Sequence, residues 1–126
     1  MLLKWSRGNA PNHVTKHFHL REFECGCQKC ETQQIDTLLL DKLDDLRQEL
    51  GSVIVVTSGF RCESHNKAVG GKRNSRHLLG QAADIFGKEV TISKLLSLCE
   101  TKFLGIGVAS TFLHLDVRDK KSRWTY

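Results

Sequence analysis

The stretch NSRHLLGQAADIF, residues 74–86, places a histidine and an aspartate seven positions apart, on either side of a glycine. His77 and Asp84 lie among apolar residues and next to the small pair Ala82 and Ala83. A polar side chain in such surroundings is costly unless it has a partner. The two residues are therefore either a lone core histidine and a helix-capping acid, or two groups that converge on a positive charge.

The size and composition of the chain favour one globular domain. Its 126 residues can bury a core without disulfides, so we expect a single domain over residues 1–126, with residues 1–31 as an N-terminal lead-in. Hydrophobic residues make up 40% and charged residues 26%, which is ordinary for a globular protein. The longest β-branched run, VIVV, is far too short to span a bilayer, and no membrane span is expected.

The net charge of +5 raises the question of nucleic-acid binding. The basic residues cluster in two groups, within residues 61–76 and 118–123, that flank the segments described below. Aromatic residues are not interleaved with them, as single-strand binding would require. We therefore expect no nucleic-acid partner, and a solvated basic surface or attraction to another anionic polymer explains the charge better.

The five cysteines are an odd number, so they cannot all pair in internal disulfides. Cys25, Cys27 and Cys30 lie in CGCQKC, with His17 and His19 just upstream. Thiolates and imidazoles are the ligands that zinc prefers, so a small structural zinc site is one interpretation. A zinc knuckle normally needs a second ligand pair at a fixed distance, and none follows in the sequence. We therefore favour free thiols or one disulfide over a structural zinc.

Apolar spacing predicts a compact α+β domain. Residues 35–51 carry apolar residues at 35, 38, 39, 43, 46 and 50, which is one helical face, and Gly51 stands where a helix ends. The run SVIVVTSG, residues 52–59, predicts a buried strand, and residues 61–75 a short helix with a glycine-rich loop. Further strands are predicted at 82–86, 105–109 and 111–118, and a second helix at 91–100.

The strand TFLHLDVR, residues 111–118, places His114 and Asp116 on one face and its leucines and valine on the other, which belongs to the core. If this strand neighbours residues 82–86, His114 and Asp116 can meet His77 and Asp84. Two imidazoles and a carboxylate are three ligands of a tetrahedral zinc whose fourth position is left for water. Zinc lowers the pKa of such a water to about 7, and a nearby carboxylate can accept its proton.

The segment SRHLLGQAAD resembles the Ser-x-His-x-x-Gly-x-Ala-x-Asp motif of the zinc D-alanyl-D-alanine carboxypeptidases and related peptidoglycan peptidases, which share their zinc site with the hedgehog signalling domain. FLHLDVR is similar to the family's later strand with the third ligand. SGFR, HN, VGG and Trp124 also resemble the family, and HFHLREFECGC resembles the lead-in of its short phage-type or bacterial members. The resemblance covers nearly the whole chain. It implies a small antiparallel sheet with helices packed on one side.

The resemblance also implies roles for the matched residues. His77, Asp84 and His114 would hold one catalytic zinc. Arg61, from SGFR, would bind the terminal carboxylate of the substrate or stabilise the oxyanion, because a guanidinium offers a rigid fork of donors. Its structural alternative is to cap the strand end or to pair with Glu63. Further candidates for contact with the substrate are Ser75 and His65, with a structural role at a helix end favoured for His65.

The general base is the least determined role. Some branches of this family carry a glutamate a few residues before the last histidine ligand, but residues 104–113, LGIGVASTFL, contain no acid. Asp116 is our candidate because it lies two residues past His114 on the same strand face. It could accept a proton from water, or it could hold a histidine in the right tautomer, and both roles stay open.

Taken as a member of this family, the chain is expected to be a monomeric zinc metallopeptidase that hydrolyses peptidoglycan stem peptides, most simply by releasing a terminal D-alanine. The alternatives are an endolysin-like L,D-endopeptidase and an inactive zinc-containing cell-wall-binding module. The first residues lack the apolar core of a secretory signal. Action at the cell wall or periplasm would then need another route, such as release from the cytoplasm as a phage lysis protein.

Overall fold

The computed structural model describes residues 1–12 and 14–126. In chain order its strands are Leu2–Ser6 (β1), Thr32–Asp36 (β2), Ile54–Ser58 (β3), Ala82–Gly87 (β4), Gly105–Val108 (β5), Leu113–Asp116 (β6) and Ser122–Thr125 (β7). The α-helices are Thr37–Leu50 (α1), Glu63–Ala68 (α2) and Ile92–Cys99 (α3), and 3-10 turns lie at Leu20–Phe23 and Arg76–Leu79. The predicted α+β class is confirmed.

The strands form two sheets. β1 and β2 pair antiparallel, and the other five strands form one sheet in the order β3-β4-β6-β5-β7. Neighbours in the larger sheet are antiparallel except β5 and β7, which run parallel. The sequence predicted an antiparallel sheet without β7. This last strand is parallel to β5 because the chain reverses after β6 and crosses to the far edge of β5.

Helix α1 begins two residues later than the apolar spacing from residue 35 predicted. It begins at Thr37 because the Asp36 side chain accepts the backbone N–H of Leu38 at 3.0 Å, and it ends at Gly51, whose φ is 71°. The predicted face included Leu38, which is instead 50% exposed. Ile35 belongs to β2 and not to the helix, so the buried face is set by Leu39, Leu40, Leu43 and Leu46.

The core lies between the larger sheet and helices α1 and α3. Ala83 and Ile85 of β4, with Leu113 and Leu115 of β6, are buried in it, together with apolar residues of both helices. The predicted alternation along these strands is confirmed, because the intervening residues lie on the opposite face. Apolar side chains of the lead-in join the same core, namely Trp5, Phe18, Leu20 and Phe23.

Helix α2 differs from the other two helices. It contacts the 3-10 turn Arg76–Leu79. The prediction that the helices pack on one side of the sheet therefore holds for α1 and α3 and does not extend to α2. None of the helices in the described part of the chain is long and apolar enough to cross a membrane.

Candidate metal centre

The register of the larger sheet brings two of the predicted ligands side by side. Asp84 of β4 is paired with His114 of β6, and on its other side with Ser58 of β3. His114 is paired with Gly107 of β5, which in turn is paired with Trp124 of β7. Paired residues project to the same side of a sheet, so these five form a row across the face opposite the core.

The 3-10 turn Arg76–Leu79 supplies the third ligand. The turn begins where the Ser75 hydroxyl accepts the backbone N–H of His77 at 3.2 Å, and it ends at Gly80, whose φ is 72°. The serine and the glycine of the SRHLLG segment thus shape the turn that carries His77 to β4. The structure gives Ser75 this capping contact, and the contact with substrate that the resemblance suggested stays a prediction.

His77, Asp84 and His114 converge in a buried site. One carboxylate oxygen, Oδ1 of Asp84, lies 3.2 Å from His77 Nε2 and 3.1 Å from His114 Nδ1. Ligand atoms of the three side chains all lie within 4.8 Å of one another, and each residue is at most 7% exposed. The sequence therefore named three side chains that the fold brings together. Below they are called the triad.

Each histidine has one ring nitrogen that faces away from Asp84, called here its outer nitrogen. This outer nitrogen is hydrogen-bonded to a group that only accepts hydrogen bonds. His77 Nδ1 lies 2.7 Å from the carbonyl oxygen of Gly59, and His114 Nε2 lies 2.7 Å from Asp116 Oδ2. These two nitrogens must therefore carry protons. In the neutral rings, lone pairs on His77 Nε2 and His114 Nδ1 then face the Asp84 carboxylate. Three electron-pair donors facing one another need a proton or a metal cation between them.

The electrostatics of the site favour positive charge. Burial opposes ionisation of Asp84, but without a metal ion between them a protonated His114 or His77 ring donates to this carboxylate, and these hydrogen bonds outweigh burial and hold its pKa well below the ordinary value. Burial also opposes ionisation of Asp116, and hydrogen bonds from Arg118 and His114 likewise lower its pKa. For His114, burial disfavours the charged ring, yet hydrogen bonds to Asp116 and Asp84 raise its pKa. Two carboxylates are thus ionised at neutral pH within a buried region.

Asp116 lies on the opposite side of the His114 ring from Asp84. Its Oδ2 accepts from His114 Nε2, and Arg118 donates to both of its oxygens at 2.8 and 2.7 Å. Asp116 is fully buried. Of the two roles that the sequence left open, this contact is the one that an orienting residue makes.

Two glycines of β5 leave room for this arrangement. A Cβ atom at Gly105 would collide with the Asp116 carboxylate, and one at Gly107 would collide with the indole of Trp124. The Trp124 ring lies over His114 with a centroid distance of 5.0 Å, and the Arg118 guanidinium lies 5.0 Å from the same ring. The sequence resemblance included Trp124 without a role, and the structure shows that it covers His114.

Arg61 lies beside the triad. Its Nη2 donates to Asp84 Oδ2 at 3.2 Å, its Nε to Ser58 Oγ at 3.0 Å and its Nη1 to Asn66 Oδ1 at 3.2 Å. These are its side-chain partners in the described part of the chain, in place of the Glu63 considered above. A positive charge is therefore fixed at the edge of the triad.

His65 is placed elsewhere. Its imidazole packs against the backbone of Gly26, where an added Cβ would lie 3.0 Å from His65 Nε2. Its carbonyl oxygen accepts the backbone N–H of Val69 at the end of α2. The structure thus brings His65 to the cysteine segment and not into the triad.

The five cysteines are free thiols, which was one of the two favoured interpretations, but the structure adds a residue to the cysteine segment. We expected no further ligand, but Cys62 joins Cys25, Cys27 and Cys30, and the four sulfurs lie within 4.8 Å of one another. The two upstream histidines have other contacts: His17 is 2.9 Å from the Gln48 side chain, and His19 caps the 3-10 turn Leu20–Phe23. A sequence pattern could not reveal Cys62, because it lies 32 residues beyond Cys30.

Comparison with protein families gives one result that bears on this site. A family model described as Peptidase M15 matches residues 16–116, which is most of the chain. The matched span contains the triad, Arg61, Asp116 and the four clustered cysteines. A comparison with curated proteins gives no match.

Proposed function

Because the chain belongs to the peptidase M15 family of zinc metallopeptidases, we propose that it hydrolyses peptidoglycan stem peptides and releases the terminal D-alanine. One observation carries this proposal: two imidazole nitrogens and a carboxylate oxygen converge in a buried site on the face of the sheet opposite the core. A peptidase of this kind needs such a donor set to hold its metal.

The triad fits a zinc ion by the chemistry of its donors. Two neutral imidazoles and one carboxylate make a common ligand set for catalytic zinc, which keeps a further position open. The carbonyl of Gly59 and the carboxylate of Asp116 fix the two tautomers that this ligation requires. When bound there, zinc supplies the Lewis acidity that polarises a carbonyl and activates water.

Arg61 is suited to bind the terminal carboxylate of the substrate. A guanidinium has five N–H donors, and three of them are used by Ser58, Asn66 and Asp84. One donor on Nη1 and one on Nη2 have no partner in the described part of the chain. A pair of such donors matches the two oxygens of a carboxylate, which favours an enzyme that recognises a free C-terminus.

Asp116 is assigned a positioning role in this proposal. Its hydrogen bond to His114 Nε2 keeps the ligating nitrogen unprotonated, and Arg118 keeps the carboxylate in place. Because both oxygens already have partners, Asp116 is a poorer candidate for the general base than the sequence suggested.

A mostly apolar surface pocket on the same face of the sheet as the triad, but not lined by it, offers space for the peptide. It is lined by Thr57, Phe86, Thr111 and Phe112. Phe86 lies two residues past Asp84 and Phe112 lies two residues before His114, so both project from the same face of the sheet as the triad. A small apolar substituent of the stem peptide, such as the methyl group of alanine, would fit such a surface.

Digestion of purified muropeptides tests the proposal. Zinc-loaded protein should shorten pentapeptide stems by one alanine residue, which mass spectrometry detects, and the His77→Ala variant should leave them intact. Cleavage inside the stem would instead support the L,D-endopeptidase alternative. Muropeptides that stay intact with the zinc-loaded protein would contradict both and leave the inactive binding module.

A further inference from the structure

The four clustered cysteines come from two distant segments of the chain. Cys25, Cys27 and Cys30 follow the 3-10 turn Leu20–Phe23, and Cys62 is the residue that precedes helix α2. The Sγ atom of Cys62 lies 3.8 Å from that of Cys25 and 3.9 Å from that of Cys27. Four sulfurs about 2.3 Å from a tetrahedral zinc are about 3.8 Å apart, so these two separations match a closed zinc site, and all four sulfurs lie within 4.8 Å of one another.

Several N–H groups point at these sulfurs. The backbone N–H groups of Lys29 and Cys30 donate to Cys27 Sγ at 3.3 and 3.2 Å, and that of Cys62 donates to Cys25 Sγ at 3.4 Å. The Gln33 side chain donates to Cys30 Sγ at 3.3 Å. Hydrogen bonds of this kind stabilise thiolates, which are the form that binds metal.

The charge around the cluster also suits metal-bound thiolates. The Arg7 guanidinium lies 3.5 Å from Cys30 Sγ and 3.8 Å from Cys27 Sγ, and it donates to the carbonyl oxygens of Cys25 and Cys30. A bound metal ion deprotonates a thiol such as Cys25 outright.

We propose that Cys25, Cys27, Cys30 and Cys62 bind one zinc ion in a closed structural site, separate from the triad. Four thiolates fill the coordination sphere of zinc and leave no position for substrate. The site does not depend on the peptidase activity, since the four sulfurs and the donors around them lie outside the triad.

This site would hold the segment that positions the triad. Cys62 directly follows Arg61, and the carbonyl oxygen of Gly59 accepts from His77 Nδ1. The backbone N–H of Phe60 donates to the carbonyl oxygen of Phe23, two residues before Cys25. A zinc ion that joins Cys62 to the lead-in would therefore hold residues 59–62 in place. The positions of Arg61 and of the His77 ring depend on this segment.

Metal analysis combined with zinc X-ray absorption on the wild-type protein tests this site. We expect about two zinc ions per chain, with an average of about two sulfur neighbours per zinc at about 2.3 Å. The His77→Ala variant should keep about one zinc, surrounded by about four sulfurs. A wild-type protein whose zinc has only nitrogen and oxygen neighbours would overturn the proposal. A mass measured after thiol blocking that shows a disulfide among the four cysteines would overturn it as well.

Variants at single cysteines separate this site from a general effect of thiol loss. Cys27→Ser should bind about one zinc fewer than wild type, or should fail to fold, because structural zinc contributes directly to folding. Cys99→Ala is the matched control, since this buried fifth cysteine belongs to α3 and not to the cluster. It should keep both zinc ions. If Cys27→Ser does not fold, the wild-type sulfur count decides the question.

Discussion

At the scale of single residues, the triad depends on what the outer nitrogens of its histidines contact. His77 is held by a backbone carbonyl, that of Gly59, and His114 by a carboxylate, that of Asp116. Both contacts fix the tautomer that turns a lone pair toward Asp84. A histidine with a free outer nitrogen would share its proton between two positions and bind a cation less well.

The Asp116→Asn variant tests the positioning role. Loss of the carboxylate should weaken zinc binding at the triad by roughly 10 to 100-fold, because the neutral amide holds the His114 ring less firmly and turns either its NH2 group or a weaker acceptor toward the groups that Asp116 now binds. Turnover measured against free zinc concentration should recover most of its wild-type value when zinc is in excess. Asp119→Asn is a suitable control, because this neighbouring acid is exposed. A fall of roughly 10² to 10⁴ in kcat at saturating zinc would instead identify Asp116 as the general base.

Alanine variants of Arg61 and His77 should both lose activity, but only the His77 variant should also lose the triad zinc. His77→Ala should lose the triad zinc and activity together, since two remaining ligands hold the ion poorly. Arg61→Ala should keep the zinc and lose turnover on substrates with a free C-terminus. The exposed Arg73 offers a control, because Arg73→Ala removes the same charge from a nearby loop. Loss of zinc in the Arg61 variant would contradict the role assigned to this residue.

At the scale of elements, the pairing of β4, β5 and β6 builds the site. The β4 and β6 register sets Asp84 beside His114, and β5 contributes glycines where the buried Asp116 and Trp124 approach it. The alternation of apolar and polar residues along β6 predicted which side chains share a face. The turn Arg76–Leu79 then adds His77 from outside the sheet.

Gly105→Ala tests the requirement for space next to Asp116. The added methyl group would collide with the buried carboxylate, so we expect destabilisation of about 1–3 kcal/mol in urea unfolding, together with weaker zinc binding. Gly87→Ala is the matched control in strand β4. Its added Cβ would meet Val90 at 3.1 Å, which a small movement relieves, so its effect should be smaller. A Gly105→Ala protein with wild-type stability and zinc affinity would refute this explanation of the glycine.

The sequence predicted the three helices and strands β3 to β6 better than their ends, and it did not predict β1, β2 or β7. Helix α1 was recognised from its apolar spacing, but Ile35 continues that spacing from within β2, and the pattern alone could not separate the two elements. Strand β7 was missed because its residues SRWT show no apolar alternation. Its place is set by pairing with β5, which is a tertiary contact and has no local signal.

At the scale of the whole molecule, the features that the sequence missed are those made by contacts between segments that are distant in the chain. The triad was predictable because a specific motif carries two ligands and a single strand carries the third. The carbonyl of Gly59 was not, since any residue supplies a carbonyl and only the fold decides where it points. Cys62 was missed for a similar reason, because nothing near it in the sequence indicates that it meets the segment at Cys25.

The central claim is that the triad holds one zinc ion, and an anomalous difference map from crystals of the zinc-loaded protein, recorded at the zinc absorption edge, tests it most directly. We expect a peak about 2.0–2.2 Å from three atoms: Nε2 of His77, a carboxylate oxygen of Asp84 and Nδ1 of His114. The fourth coordination position of this zinc should be open toward the face of the sheet that carries Arg61. A map with no peak at the triad, or with an ion bound through other atoms, would contradict the account.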